Sequence, residues 1–281
     1  MQVAIFVHIV YRHAEDSTED NRIFLKEYHF YVSDNRLHSS EFVQYCFDIF
    51  NKNLKERGIQ MLEHLIWSDN CTGQFKNARM FYWLCRVHKE NNIQHIWSFF
   101  EAGHGKGEHD GAGACVKRAL AREQLKFEDA AKFRNARAIV DWCNTKLSTR
   151  TSEKSIIRRF FWLVEENDIF SRQDCETING SAKWHSFKSS NANTWTIWTR
   201  ELACYCQFCI VGDWQACENM EWVEQWQQRA LTPTSTHVQH GTTIEDNQVF
   251  ASDDYDRVSD LVQEGTLFIE LNFVCMHVYM S

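Results

Sequence analysis

The feature that most limits how this chain can fold is the order of its patterned segments over the first 145 residues. Residues 3–13 are mostly apolar or β-branched, as in a strand, and residues 24–33 (FLKEYHFYVS) read as a second strand. Ser39 or Ser40 then offers a cap for a helix that reaches Arg57 and stops at Gly58. Its apolar face is Phe42, Tyr45, Cys46, Ile49 and Phe50, at helical spacing. A third strand (MLEHLIW), a helix over 77–89 and a fourth strand (IQHIWSFF) follow. A loop from Gly103 to Gly113 comes next, and then a long helix of mixed charge to about Cys143. Strand, strand, helix, strand, helix, strand, loop, helix predicts an α/β domain on a mixed sheet.

Composition narrows the class. Of 281 residues, 44% are hydrophobic and 14% aromatic, which suits a folded protein. There is no run of 18 apolar residues to cross a membrane as a helix. The apolar start VAIFVHIVY runs into Arg12 and His13, with no charged leader before it and no small-residue cleavage site after it. It reads as a buried strand and not as a secretion signal, so a nuclear or intracellular protein is expected, with no membrane partner. Eleven cysteines without such a signal favour reduced thiols or a metal site over disulfides. A net charge of −8 excludes binding to nucleic acid by bulk electrostatics, so any DNA contact must come from a local patch.

Four regions are expected. Residues 1–147 form the α/β core, and a break in pattern near the Ser/Thr-rich stretch 149–155 begins a connecting segment, 148–183. Residues 184–230 are a Cys/Trp-rich module. Residues 231–281 hold a linker with the sole proline, Pro233, an acidic stretch and one or two further strands.

Two carboxylates draw the eye. Asp69 closes an apolar strand in HLIWSDNCTGQFKN, where a sheet would hold it rigidly at a cleft. Asp110 follows the next strand and opens a helix. Oxygen ligands from two elements can share Mg²⁺ or Mn²⁺, and two ions about 3.5–4 Å apart can activate water or a 3′-hydroxyl against a phosphodiester. Taken singly, Asp69 is equally a turn residue and Asp110 equally a helix cap. In the glycine loop His104 and Lys106 are candidate phosphate contacts, aided by backbone N–H groups at the helix start. Lys117, Arg118 and Arg122 lie on the following helix and suit a DNA backbone or, more plainly, a solvated face. Gln74 and Lys76 flank the Asp69 turn as surface residues within reach of DNA.

The pattern Cys204-x-Cys206-x2-Cys209-x7-Cys217 places four thiols in fourteen residues, a set that suits tetrahedral Zn²⁺, with His185 or Cys175 as a substitute ligand. Trp195, Trp198, Trp214, Trp222 and Trp226 surround it as a small core.

The segments WSDNCTGQFKN and FFEAGHGKGEHDGAGACVKR resemble the core of transposase-derived proteins of the DDE and retroviral-integrase superfamily, which is ribonuclease-H-like. The resemblance covers residues 1–145 and, more loosely, the cysteine segment. It implies a ribonuclease-H-like fold, Asp69 as the second catalytic acid, and Asp110 as the third, with Glu108 as the alternative. A third acid one turn further into the helix would fall on Ala114. The first acid belongs on an opening strand that the resemblance sets before residue 1, so the sheet is expected to lack its first strand. Asp34 is the substitute candidate. The parent activity is metal-dependent DNA cleavage and strand transfer, with DNA as partner, self-association as a further expectation and no small-molecule cofactor. Two acids alone do not hold both ions, so an inactive derivative is expected. The alternative is a non-enzymatic fragment that binds DNA or protein through its zinc module.

Overall fold

The computed structural model describes residues 2–18, 20–35, 39–61, 63–100, 108–126, 133–148, 156–169, 175–190, 195–210, 213–233 and, as backbone, 266–277. The first strands form as their patterns require: β1 (Gln2–His13) and β2 (Phe24–Ser33) pair antiparallel, with His8 opposite His29. Helix α1 (Ser40–Glu56) starts where the Ser39 side chain accepts the Phe42 N–H, and the chain leaves it at Gly58, whose φ is +70°. Then come β3 (Glu63–Ser68), α2 (Ala78–Asn91), β4 (Gln94–Phe99) and α3 (Glu108–Gln124). The expected element order therefore holds to this point.

One expectation fails after α3. The single long helix is two, α3 and α4 (Ala136–Lys146), because Asn135 adopts an extended backbone and its side chain accepts the Ala138 N–H. A residue that offers its own cap competes with helix continuation.

The remaining strands join the same sheet. They are β5 (Ile157–Leu163), β6 (Ser186–Ser189), β7 (Thr196–Arg200), β8 (Gln227–Ala230) and β9 (Thr266–His277), with short helices α5 (Gln207–Ile210) and α6 (Met220–Val223) between β7 and β8. The sheet has nine strands in the order β5-β2-β1-β9-β3-β4-β6-β7-β8. It is mixed: β9 runs antiparallel to β1 but parallel to β3, and β3 is parallel to β4. The strand between β1 and β3 is β9, from the far end of the given sequence. The cysteine segment is likewise continuous with the core, since β6 pairs with β4.

Alternation along β1 divides the core. Phe6 and Val10 face α1 and α2, in a cluster with Phe47, Phe50, Trp83 and Trp97. Val3, Ile5, Val7 and Ile9 face α3 and α4, with Val116, Leu120, Ile139 and Val140. On this second face Leu65 and Ile96 of β3 and β4 are covered by Tyr205 and Trp226 from the cysteine segment. Among the described residues no helix is long and apolar enough to cross a membrane.

Candidate metal centre

Two groups of potential ligands lie near the α3 side of the sheet. The first is at the end of β3. Ser68 is buried and accepts the Trp97 indole N–H at 2.9 Å, toward the α1 side, so strand alternation sends Asp69 to the other side. The Asp69 carboxylate accepts the Cys71 N–H at 2.9 Å, as a turn residue does. Burial raises its pKa, the Cys71 hydrogen bond and His109 oppose that, and the neighbouring Asp110 carboxylate adds to the rise. Asp69, His109 and Asp110 thus stand within electrostatic reach of one another. His109, fully buried in the first turn of α3, has its Nε2 3.7 Å from the Asp110 carboxylate.

The other acids considered from sequence are engaged elsewhere. Glu108 accepts from the Tyr11 hydroxyl at 2.8 Å, from Lys26 Nζ at 3.0 Å and from the Tyr28 hydroxyl. It ties α3 to β1 and β2. Asp34 accepts the Ala136 N–H at 2.9 Å at the start of α4, and β1 and β9 separate its strand from β3. That is a capping role, remote from Asp69. Lys76 is not a surface residue: it is buried, and its ammonium donates to the Ala182 carbonyl at 3.0 Å. Gln74 is half-buried. On α3, Val116 and Leu120 point inward, which leaves Arg118 and Arg122 exposed and Lys117 half-buried. His104 and Lys106 lie outside the described residues.

The second group is the cysteine quartet. Cys204 and Cys206 precede α5, Cys209 lies in it, and Cys217 follows a turn in which Asp213 accepts the Ala216 N–H. All four sulfurs lie within 4.8 Å of one another. Two of the separations are 3.7 Å (Cys204–Cys217) and 4.0 Å (Cys206–Cys217). A tetrahedron with Zn–S bonds of about 2.3 Å sets its sulfurs about 3.8 Å apart. The quartet could therefore hold a metal ion such as zinc. The ten described cysteines are all free thiols. Cys175 is not a ligand, since it is buried elsewhere and donates to the Ala78 carbonyl. His185 is not in the quartet either; its Nδ1 is 3.4 Å from the Phe99 carbonyl.

The electrostatics favour thiolate at Cys206, whereas burial pushes the Cys204 and Cys209 thiols up. Burial would push the Cys206 thiol up, but N–H groups of Cys209 and Glu218, with the thiols of Cys204 and Cys209, bring it down to about 7. Asn219 donates to Cys204 Sγ at 3.3 Å. Arg200, at the end of β7, donates to Cys209 Sγ at 3.4 Å and to Cys217 Sγ at 3.3 Å. Behind the quartet Lys188 is buried among Trp198, Trp214 and Trp226, its ammonium 3.0 Å from the Trp214 centroid. Burial lowers its pKa to about 7, against the pull of Glu63. Arg200 and Lys188 had no signature in the sequence beyond being cations in strand-like segments.

A family model described as "Domain of unknown function (DUF8701)" matches residues 1–199, ending in β7 just before Arg200 and the first of the four cysteines. No curated protein and no solved structure matches the chain. The chain therefore belongs to the DUF8701 family.

Proposed function

We propose that this chain is a transposon-derived DNA-processing protein with a ribonuclease-H-like core and a zinc centre, now acting on DNA by binding and not by cleavage. The observation that carries the reading is that Asp110, in the first turn of the helix after β4, is near enough to Asp69, at the end of β3, to help raise its pKa. The sheet order supports it: strands β2, β1 and β9 alternate in direction, and β3 and β4 then run parallel to β9. Two carboxylates can share one divalent cation. Cleavage with two ions needs more negative charge, because two cations at about 4 Å repel strongly unless their ligands offset it. A third carboxylate would have to come from a neighbour of β3. The only acid of β9 is Glu270, level with Trp67.

The test is a labelled duplex incubated with the protein and Mg²⁺ or Mn²⁺, beside Asp69→Asn and Asp110→Asn. No cleavage is expected, and duplex binding that weakens with salt through Lys117, Arg118 and Arg122 is expected. Cleavage that both substitutions abolish would overturn the binding-only reading. Absence of any DNA binding at low salt would remove DNA from the reading altogether.

The geometry of the quartet favours a second statement: Cys204, Cys206, Cys209 and Cys217 hold one structural Zn²⁺. A folded sample should contain one zinc per chain, and Cys206→Ser should lose it. A folded, metal-free protein with reduced thiols would end this proposal.

A further inference from the structure

Arg200 is a buried cation whose charge has no carboxylate beside it. It is 2% exposed, and among the described residues no Asp or Glu pairs with it. A buried guanidinium without a counter-charge is costly. Its guanidinium nitrogens donate instead to two cysteine sulfurs, to Met220 Sδ at 4.0 Å and to two carbonyls. Nη1 and Nη2 reach Cys209 and Cys217, and Nε reaches the Glu224 carbonyl at 2.7 Å and the Val223 carbonyl at 3.1 Å. Among the described residues, the groups that can meet it as anions are therefore the cysteine sulfurs of the quartet.

The two carbonyls belong to a strained turn. Glu224 has φ +59° and ψ −179°, a conformation that side-chain-bearing residues rarely adopt. It joins α6 to β8, the outermost strand on this side of the sheet. One guanidinium thus clamps the sulfur centre to the backbone that feeds the sheet edge.

We propose that Arg200 is the outer-sphere cation of the four-cysteine centre, and that through it metal occupancy fixes the Glu224 turn and strand β8. The inference rests on the zinc reading. Four thiolates on Zn²⁺ carry a net charge of 2−, in a place where Cys209 and Cys217 are buried. Arg200 returns one positive charge and satisfies lone pairs on two of the sulfurs. Without metal nothing fixes the four sulfurs relative to one another, Arg200 loses its anchored partners on Cys209 and Cys217, and the strain at Glu224 is no longer offset. Outer-sphere hydrogen bonds of this kind change metal affinity by about 10–100-fold.

The experiment uses the full chain loaded with Zn²⁺ and titrated with a chromophoric chelator, alongside Arg200→Gln, Arg200→Lys and Cys206→Ser. Amide exchange over residues 224–230 is followed in parallel. Arg200→Gln should bind zinc about 10–100-fold more weakly. Arg200→Lys, which keeps the charge but not the fork, should fall between it and the parent. Chelation of the parent should speed exchange at 224–230. Equal zinc affinity in the parent and both Arg200 variants would overturn the inference while leaving the zinc reading intact. Unchanged affinity in Cys206→Ser would instead overturn the zinc reading. Should Arg200→Gln fail to fold, the Arg200→Lys affinity and the exchange of the parent still decide. Exchange indifferent to zinc would refute the clamp.

Discussion

Lowering the pH from 7 to 5.5 should destabilise this protein by about 4 kcal/mol, through three histidines sealed in the core. His8, His64 and His95 are fully buried, under Phe47 and Phe50 of α1 and Trp83 of α2. Burial holds all three neutral. It sets His8 well below its ordinary range, with a further push from His29, and His64 likewise, with pushes from His95 and His8. His95 is lowered to about 3 by burial, against its contact with the Ile93 carbonyl. In the unfolded chain each titrates near 6.5, so below that pH the unfolded state binds more protons and stability falls with pH. A histidine that stays neutral in the fold contributes a loss of about 1.4 kcal/mol at pH 5.5 and about 2 kcal/mol at pH 5. Three give about 4 and 6 kcal/mol, much of the 5–15 kcal/mol that holds a typical domain. The two carboxylates that are held low lie outside this window. Glu15, lowered to about 2 by Arg12 against burial, and Glu27, held still lower by His29, Arg57 and Arg12 against its burial, lose their contribution only below about pH 4.5. The assay is urea unfolding at several pH values on chelator-treated protein, so that acid release of metal does not contribute. His64→Leu should flatten the slope by about a third, since both His64 nitrogens lack hydrogen-bond partners and the ring adds packing alone. A stability that is level between pH 7 and 5.5 would refute the reasoning.

Two other outcomes are expected. Leu271→Pro, opposite both His8 and Ser68 in the middle of the sheet, removes a ladder donor from a central strand and should cost about 3 kcal/mol or more; an unchanged urea midpoint would show that β9 does not occupy that place. Lys188, with its pKa brought down to about 7 by burial, binds fewer protons folded than unfolded above that value, so stability should rise from pH 7 to 9 and Lys188→Met should abolish the rise; a parallel pH profile in the variant would contradict this.

The elements that sequence made legible are those whose signal is local. The apolar, β-branched run of β1 and the helical face of α1 read correctly, because each pattern is set by what is buried. So did the quartet, whose ligands lie close in sequence and need one loop to meet. The missed features are non-local or polar. β8 has three of its four residues exposed and β5 fully buries only Phe161, so neither shows a clear apolar period. The break between α3 and α4 rests on one capping asparagine inside a charge-rich stretch. The slot filled by β9 depends on a pairing between residues more than 250 positions apart, which no window of sequence reports. At the carboxylates, sequence did not report that Glu108 and Asp34 are spent on tying helices to strands.

The outer strands of the sheet differ in kind from its centre. β8 is short and reads Gln-Gln-Arg-Ala, and β5 presents Arg158 and Arg159, with Arg158 3.3 Å from Glu15. Short, polar or charged rims discourage a second molecule from adding a strand. The flanks of β9 are the reverse: residues 3–10 of β1 are entirely buried and mostly Val, Ile and Phe, and β3 brings Leu65 and Ile66. If the last strand is late to arrive during synthesis, or is cut away, two long apolar rows of unsatisfied N–H and C=O groups open in the middle of the molecule. The aggregation hazard of this protein thus sits in its interior, and its solubility depends on keeping its own carboxyl-terminal segment in place.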